Sequence, residues 1–151
     1  MHKLTYFIDQ GNGEYQPFYE YEVPFVGEDE FYARQLCTYF IVKGMQYQLI
    51  SNEMRGSEEI LALEEMGPNN PLPDEQIYRS KGLHLEFRSS LPEENYRLLH
   101  VTPCETHFEV IRYLLKDIVD IPLLGQFYTT STEIDEDRGT YVIYVKEIEE
   151  G

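Results

Sequence analysis

The feature that most constrains the fold is the similarity between the two halves of the chain. Each half contains a segment that predicts an amphipathic helix, at 27–44 and at 102–121. Gly-Met-Gln-Tyr follows the first helix and Gly-Gln-Phe-Tyr follows the second, and an Arg-Gly pair recurs at a later bend, at 55–56 and 138–139. We interpret this as a tandem duplication, because self-similarity is the sequence signature of repeated units. The alternative is that two unrelated ββα units share a pattern by chance, since any α+β chain repeats these periodicities.

The second helix carries the clearer signals. Thr102 and Glu105 have the spacing of a capping box, and Pro103 falls at the first helical position, where a missing N–H costs nothing. Pro122 ends the helix. Apolar side chains recur between them at three- and four-residue steps, so one face is predicted to pack on a sheet. They are Phe108, Ile111, Leu114, Leu115, Ile118 and Val119.

One segment, at 57–66, gives conflicting signals. A serine, early glutamates and a final Gly-Pro favour a helix there. Its counterpart in the second half, at 140–148, is rich in tyrosine, valine and isoleucine and predicts a strand. The duplication therefore predicts that 57–66 is a strand, which makes this segment a direct test of the repeat.

The predicted architecture is α+β and two-layered, with an internal duplication of a ββαββ unit. The copies span 4–66 and 83–150, and a proline-rich linker at 67–82 joins them. Each copy is expected to pack one helix on an antiparallel sheet. A copy of about 65 residues would bury only a marginal core alone, so residues 1–151 are predicted to form a single domain.

The formal net charge of −16 is divided equally between residues 1–66 and residues 83–150. Such a chain repels nucleic-acid phosphate and anionic membrane surfaces, so neither is expected as a direct ligand. The sequence shows neither a membrane span nor the apolar region of a signal peptide. With two cysteines that no pattern pairs, these features predict a cytoplasmic protein.

The strongest candidates for catalysis are Cys104 and His107. The predicted helix places Cys104 in its first turn, where the helix dipole lowers a thiol pKa, and His107 one turn later as a proton acceptor. Against this, Glu105 is adjacent and disfavours a thiolate, and no third group is assignable. Together with His100 these residues have a metal-like spacing, but a structural zinc site needs four ligands, and the fourth would have to come from the neighbouring strand, for example His84. We therefore predict no metal and no cofactor.

Thirteen tyrosines and no tryptophan make up an unusual aromatic composition. Tyrosine suits both a protein interface and a cleft wall, because its ring is apolar and its tip is polar. The alternative is that these rings simply fill the core of a sheet. The tyrosines predicted to bind a ligand in a cleft between the copies are Tyr19, Tyr21, Tyr47, Tyr128 and Tyr141.

These observations favour a small, acidic, non-catalytic binding protein with its site in the cleft between the repeats. Its ligand would be a small molecule or a basic protein surface. A cysteine-dependent enzyme that uses Cys104 and His107 is one alternative. A second is an acidic mimic of nucleic acid that inhibits a basic protein. An exposed sheet edge would also allow two chains to pair as a homodimer.

Overall fold

The computed structural model describes residues 2–11, 13–22 and 27–149, and over these the chain is α+β. The described residues form ten strands, two α-helices and one 3₁₀ turn at Pro92–Glu94. The first half contains β1 (Lys3–Asp9), β2 (Tyr15–Glu22), α1 (Glu28–Gln35), β3 (Tyr39–Val42), β4 (Met45–Arg55) and β5 (Glu58–Pro68). The second half contains β6 (Leu83–Ser89), β7 (Leu98–Cys104), α2 (His107–Leu114), β8 (Ile118–Ile121), β9 (Gly125–Asp135) and β10 (Thr140–Glu147).

All ten strands belong to one mixed sheet. Its order is β2-β1-β5-β4-β3-β9-β10-β6-β7, and β8 pairs with β9 beside this path. The pairs β1–β5, β6–β10 and β3–β9 are parallel, and the other pairs are antiparallel. The expectation that each half would form an antiparallel sheet is therefore wrong. The parallel β3–β9 pair joins the halves through Tyr39–Glu133, Phe40–Ile134 and Ile41–Asp135.

The two halves share both element order and irregularities. In each half the order is ββαβββ, with the first strand parallel to the last. The register between the first two strands shifts at Tyr6–Phe7 in one half and at Phe87–Arg88 in the other. β4 has a bulge at Ile50 in its ladder with β5, and β9 has a bulge at Thr130 in its ladder with β10. Such bulges bend a sheet and increase its local twist, so both halves curve at matching places.

Both helices are shorter than the sequence predicted. Residues 39–42 and 118–121, predicted as helix, are the strands β3 and β8, and β8 alternates exposed and buried residues as a strand does. The predicted cap at Thr102 is also wrong, because β7 continues through Cys104 in a ladder with β6. Thr106 is the cap instead, and its hydroxyl accepts a hydrogen bond from the Glu109 amide at 3.4 Å.

The strand predicted at 57–66 is confirmed over 58–66, since β5 covers these residues and residue 57 lies in the turn before it. β5 also includes Gly67 and Pro68, so the connecting segment without helix or strand is 69–82, which we call the linker. The linker is anchored to the second half, because the Tyr78 amide donates to the Arg138 carbonyl at 2.8 Å and the Tyr78 side chain is buried.

The main core lies between the sheet and the two helices, which also contact each other. Side chains alternate along each strand, so Leu85 and Phe87 of β6 face the helices, whereas Glu86 and Arg88 face the linker. In the part of the chain that the structure describes, neither helix has the length and hydropathy needed to cross a membrane.

Candidate functional site

A groove of about 720 Å³ lies where the two halves join, on the sheet face that carries the linker. We call it the junction groove. Residues from β3, β9 and β10 line it, together with residues of the linker and the loop between β6 and β7. Because β3 belongs to the first half and β9 to the second, neither half forms the groove alone.

The groove is lined by aromatic rings and hydrogen-bond acceptors. Its tyrosines are Tyr39, Tyr96 and Tyr144, and the rings of Tyr96 and Tyr144 meet edge to face with centroids 5.9 Å apart. Glu75 and Glu133 supply its two carboxyl groups. Among the described residues that line the groove, none is lysine or arginine. Its chemistry therefore favours a ligand that donates hydrogen bonds or carries positive charge.

A buried ionic network lies beside the groove. Arg138 donates to both oxygens of Glu86 at 2.9 and 3.0 Å and to Asp135 at 2.7 Å. Arg88 donates to Glu86 at 2.9 Å and to Asp74 at 2.7 Å. Burial alone would raise the pKa of Glu86, but the hydrogen bonds from the two guanidinium groups hold that pKa below its ordinary value. Both arginines are thus already neutralised by Asp74, Glu86 and Asp135.

Glu133 is buried beside this network but forms no ion pair with Arg88 or Arg138. Only 6% of the residue is exposed. The Tyr144 hydroxyl lies 3.4 and 3.5 Å from its two oxygens, which is long for a hydrogen bond. Burial, with a smaller contribution from Asp135, raises the pKa of Glu133 to about 8. Glu133 therefore carries a proton at neutral pH until a positive group approaches it.

The structure places the five predicted tyrosines elsewhere. Tyr47 and Tyr141 are core residues, with 7% and 1% of their surface exposed. Tyr19 and Tyr21 pack around Tyr6 at the β2 edge of the sheet. Tyr128 is partly exposed beside Lys146. None of the five lines the junction groove, so the expected lining is wrong even though a groove does lie between the halves.

Sequence reasoning missed Glu75, Tyr96 and Glu133. The signal that the sequence offers is at Glu133, because aligning the segments that begin at Ser51 and Ser131 pairs Glu133 with Glu53. The bulges at Ile50 and Thr130 give the same pairing, and residues 132–135 around Glu133 are buried.

The Cys104–His107 pair does not have the predicted surroundings. Cys104 ends β7 instead of beginning the helix, so the helix dipole argument for a thiolate fails. Burial, together with Glu109, raises the pKa of the Cys104 thiol to about 11. Its sulfur contacts the Thr102 carbonyl oxygen at 3.9 Å. His107 instead lies 3.7 Å from Glu30 and packs edge to face on Tyr141.

The histidines considered as metal ligands lie against aromatic rings. His84 packs on Tyr78 with ring centroids 4.8 Å apart, and His100 lies 6.5 Å from Phe87. Over residues 2–11, 13–22 and 27–149, no group of three or more histidine, cysteine, aspartate or glutamate side chains is arranged to hold a metal ion.

A second cavity, of about 690 Å³, lies beside the end of α2 and the turn between β8 and β9. Arg112, Lys116 and Asp120 contribute its charged groups. Leu115, Leu123 and other apolar side chains are exposed nearby. Among the residues that line this cavity there is no buried carboxyl group that lacks a cation, as Glu133 does in the junction groove. We therefore consider the junction groove the stronger candidate for a binding site.

Comparisons with protein-family models, with curated proteins and with solved structures find no match to this chain.

Proposed function

We propose that the protein is a non-catalytic binding protein that holds a basic surface of another protein in the junction groove. The observation that carries this proposal is the lining of the groove, where tyrosine rings surround acceptor groups and no positive side chain is present among the described residues. The net charge of −16 supports it, since long-range attraction speeds the encounter with a basic partner.

We further propose that the two halves are copies of one ancestral unit. The shared element order, the shared parallel pairing of first and last strands, and the bulges at matching positions support this origin. Two copies joined side by side create a seam that a single copy lacks. Ligand sites occur preferentially at such junctions, which connects the duplication to the groove.

We propose a cytoplasmic location for this binding. Both cysteines are free and buried. Two thiols left unpaired suit a reducing compartment. Fractionation of the cells that express the protein, with a tag on the full chain, tests the location: recovery with secreted proteins would contradict it.

Titration of the ¹⁵N-labelled protein with short arginine-rich peptides tests the proposed function. We expect amide shift changes to cluster on the strands that line the groove, around Tyr39, Ser131 and Tyr144. The affinity is expected to fall as salt rises, because the attraction between charges is screened. Shift changes spread evenly over the acidic surface, or none at all, would overturn the proposal.

Thiol alkylation tests the non-catalytic part of the proposal. A thiol whose pKa is raised to about 11 contains little thiolate at pH 7, so Cys104 is expected to react slowly with iodoacetamide in the folded protein. Reaction should become fast once the chain is unfolded in urea. Fast alkylation of the folded protein near neutral pH would favour a cysteine-dependent enzyme instead.

A further inference from the structure

The arrangement of charges on the linker face leaves one acceptor without a cation. Five carboxyl side chains, including those of Glu75 and Glu133, share this face with two guanidinium groups. Arg88 and Arg138 are already paired with Asp74, Glu86 and Asp135 at 2.7 to 3.0 Å. Arg138 also lies 3.6 Å from Glu75, so Glu133 is the carboxyl group of the five that pairs with neither guanidinium. Within the described ranges, the Tyr144 hydroxyl is the hydrogen-bond partner of Glu133.

The groove wall beside Glu133 consists of aromatic faces. Tyr39 on β3 is the register partner of Glu133 on β9, so the two side chains lie on the same face of the sheet. Tyr144 contacts the carboxyl group, and Tyr96 packs edge to face against Tyr144. A cation close to such rings is attracted by their negative faces, and a planar guanidinium also stacks on them.

We propose that the junction groove is a pocket for one arginine side chain of the partner, whose guanidinium pairs with Glu133 and stacks on the groove tyrosines. This inference rests on the proposed function and names the group that the groove recognises. The guanidinium supplies the missing donors to Glu133, and its fork matches the two carboxylate oxygens. The arginine of the partner would then give Glu133 the cationic partner that Arg88 and Arg138 already give to the other four carboxyl groups.

Binding is expected to depend on pH, because the free protein holds a proton on Glu133. Glu133 is faced by Asp135 on its own strand, Tyr144 on β10, Tyr39 on β3, Glu75 on the linker and Arg138 in the turn between β9 and β10. Since a guanidinium stays charged at every pH used, it selects the ionised carboxylate. The affinity should therefore rise with pH until Glu133 is ionised in the free protein, at about pH 8.

Three probes separate charge from shape: N-acetyl-arginine amide, N-acetyl-lysine amide, and N-acetyl-citrulline amide, a neutral analogue of the first. Each is titrated into the full-length ¹⁵N-labelled protein at pH 6, 7 and 8. We expect the arginine probe to bind most tightly, with affinity rising up to about tenfold per pH unit in this range. The citrulline probe is expected to bind at least about tenfold more weakly at pH 8, because it lacks the charge.

Two variants and a matched control complete the experiment. Glu133→Gln is expected to remove the pH dependence and to weaken arginine binding about tenfold at pH 8. Its amide resembles the protonated acid, so the fold should be retained. Tyr96→Ala removes a partly exposed ring and should weaken binding severalfold. Glu53→Gln makes the same charge change at the corresponding position of the first half and should leave binding unchanged.

The outcomes distinguish this inference from the proposed function. If arginine-rich peptides bind the groove but Glu133→Gln behaves like Glu53→Gln, the arginine pocket is wrong and the basic-partner function survives. Equal binding of the arginine and citrulline probes would also overturn the pocket. If neither the peptides nor the arginine probe binds, both proposals fail.

Discussion

The two halves of the molecule have the same element order but fill the sheet face away from the helices in different ways. In the first half, Thr5 and Phe7 on β1 lie beside Ile60 and Ala62 on β5. At the corresponding positions of the second half, Glu86 and Arg88 on β6 lie beside β10. The same backbone positions thus accept either uncharged residues or a charged network. The charged version occurs in the half to which the linker is anchored.

The difference teaches that burial by itself does not select apolar residues. Glu86 and Arg88 are tolerated with no exposed surface because each charge has geometrically good partners. Replacing such a network by apolar residues is often neutral, but removing one member leaves an uncompensated buried charge.

Arg138→Met should break the network most severely. Its loss leaves Glu86 and Asp135 without their main partner, so we expect the free energy of unfolding to fall by about 3–5 kcal/mol. Arg55 occupies the corresponding bend of the first half and is exposed, so Arg55→Met should change stability by less than about 0.5 kcal/mol. Urea denaturation at pH 7 measures both. Similar losses in the two variants would show that the halves do not differ as described.

Glu133→Gln should change how stability depends on pH. The unfolded chain ionises this carboxyl group in its ordinary range, whereas the folded protein keeps it protonated up to about pH 8. Between these values only the unfolded state gains from losing the proton. The contribution of this group to stability is therefore full below the unfolded pKa and is lost as pH rises towards 8.

Relative to the natural protein, Glu133→Gln should gain about 2.5 kcal/mol of stability between pH 5.5 and pH 7.5. Glu53→Gln, at the corresponding position of the first half, should give little such gain, because Glu53 is half exposed to water. Urea denaturation across this pH range measures the difference. A pH profile of Glu133→Gln that parallels that of the natural protein would contradict the burial of this carboxyl group.

Asp74→Asn should loosen the linker without unfolding the sheet. Asp74 accepts hydrogen bonds from Arg88 at 2.7 Å and from the Leu98 amide at 2.9 Å. Because its side chain is partly exposed, the expected loss is about 1–2 kcal/mol. Trypsin should then cut sooner after Arg79 and Lys81. Unchanged cleavage at these sites would mean that Asp74 does not anchor the linker.

Asp137→Ala should have the smallest effect; Asp137 lies in the turn between β9 and β10, which contacts the turn between β3 and β4 of the first half. The carboxylate of Asp137 accepts hydrogen bonds from the amides of Lys43 and Gly44, both at 2.7 Å. Its removal should cost about 1 kcal/mol and speed hydrogen exchange at these two amides. Asp120→Ala on β8 makes the same charge change and should leave that exchange unaltered. Equal exchange rates in the two variants would contradict the prediction.

The similarity between the two halves of the sequence predicted more of the fold than local signals did. It identified residues 58–66 as strand, although a serine, glutamates and a final Gly-Pro favoured a helix. β5 is a strand because it lies between β1 and β4, with Leu61 and Leu63 in the core. Tertiary context overrides helix propensity at such a position.

The helix ends could not be decided locally. The segment 102–109 contains the same capping signal twice, as Thr102 with Glu105 and as Thr106 with Glu109. The ladder between β6 and β7 extends through Cys104 and selects the second signal. Similarly, the apolar residues of β8 continue the helical spacing of α2, so periodicity alone does not mark where the helix stops.

The candidate site was predicted only in its location. A groove between the halves followed from the repeat, but its lining depends on which face each strand turns outwards, and a bulge reverses that assignment. Thr130 is such a bulge in β9, three residues before Glu133. The ionic network could not be predicted from the sequence for another reason. Asp74, Glu86 and Arg138 come together only after the linker folds across the sheet.

The short ladder between β3 and β9 has a consequence for synthesis on the ribosome. Lys43 and Asp137, which form a hydrogen bond beside this ladder, lie 94 positions apart in the sequence. β3, at the edge of the first half, therefore lacks its partner β9 while the rest of the chain is translated. An unpaired border of this kind invites neighbouring nascent chains to add their own strands. The surplus of glutamate and aspartate gives every unfinished copy the same sign of charge, so these chains repel one another until the seam closes.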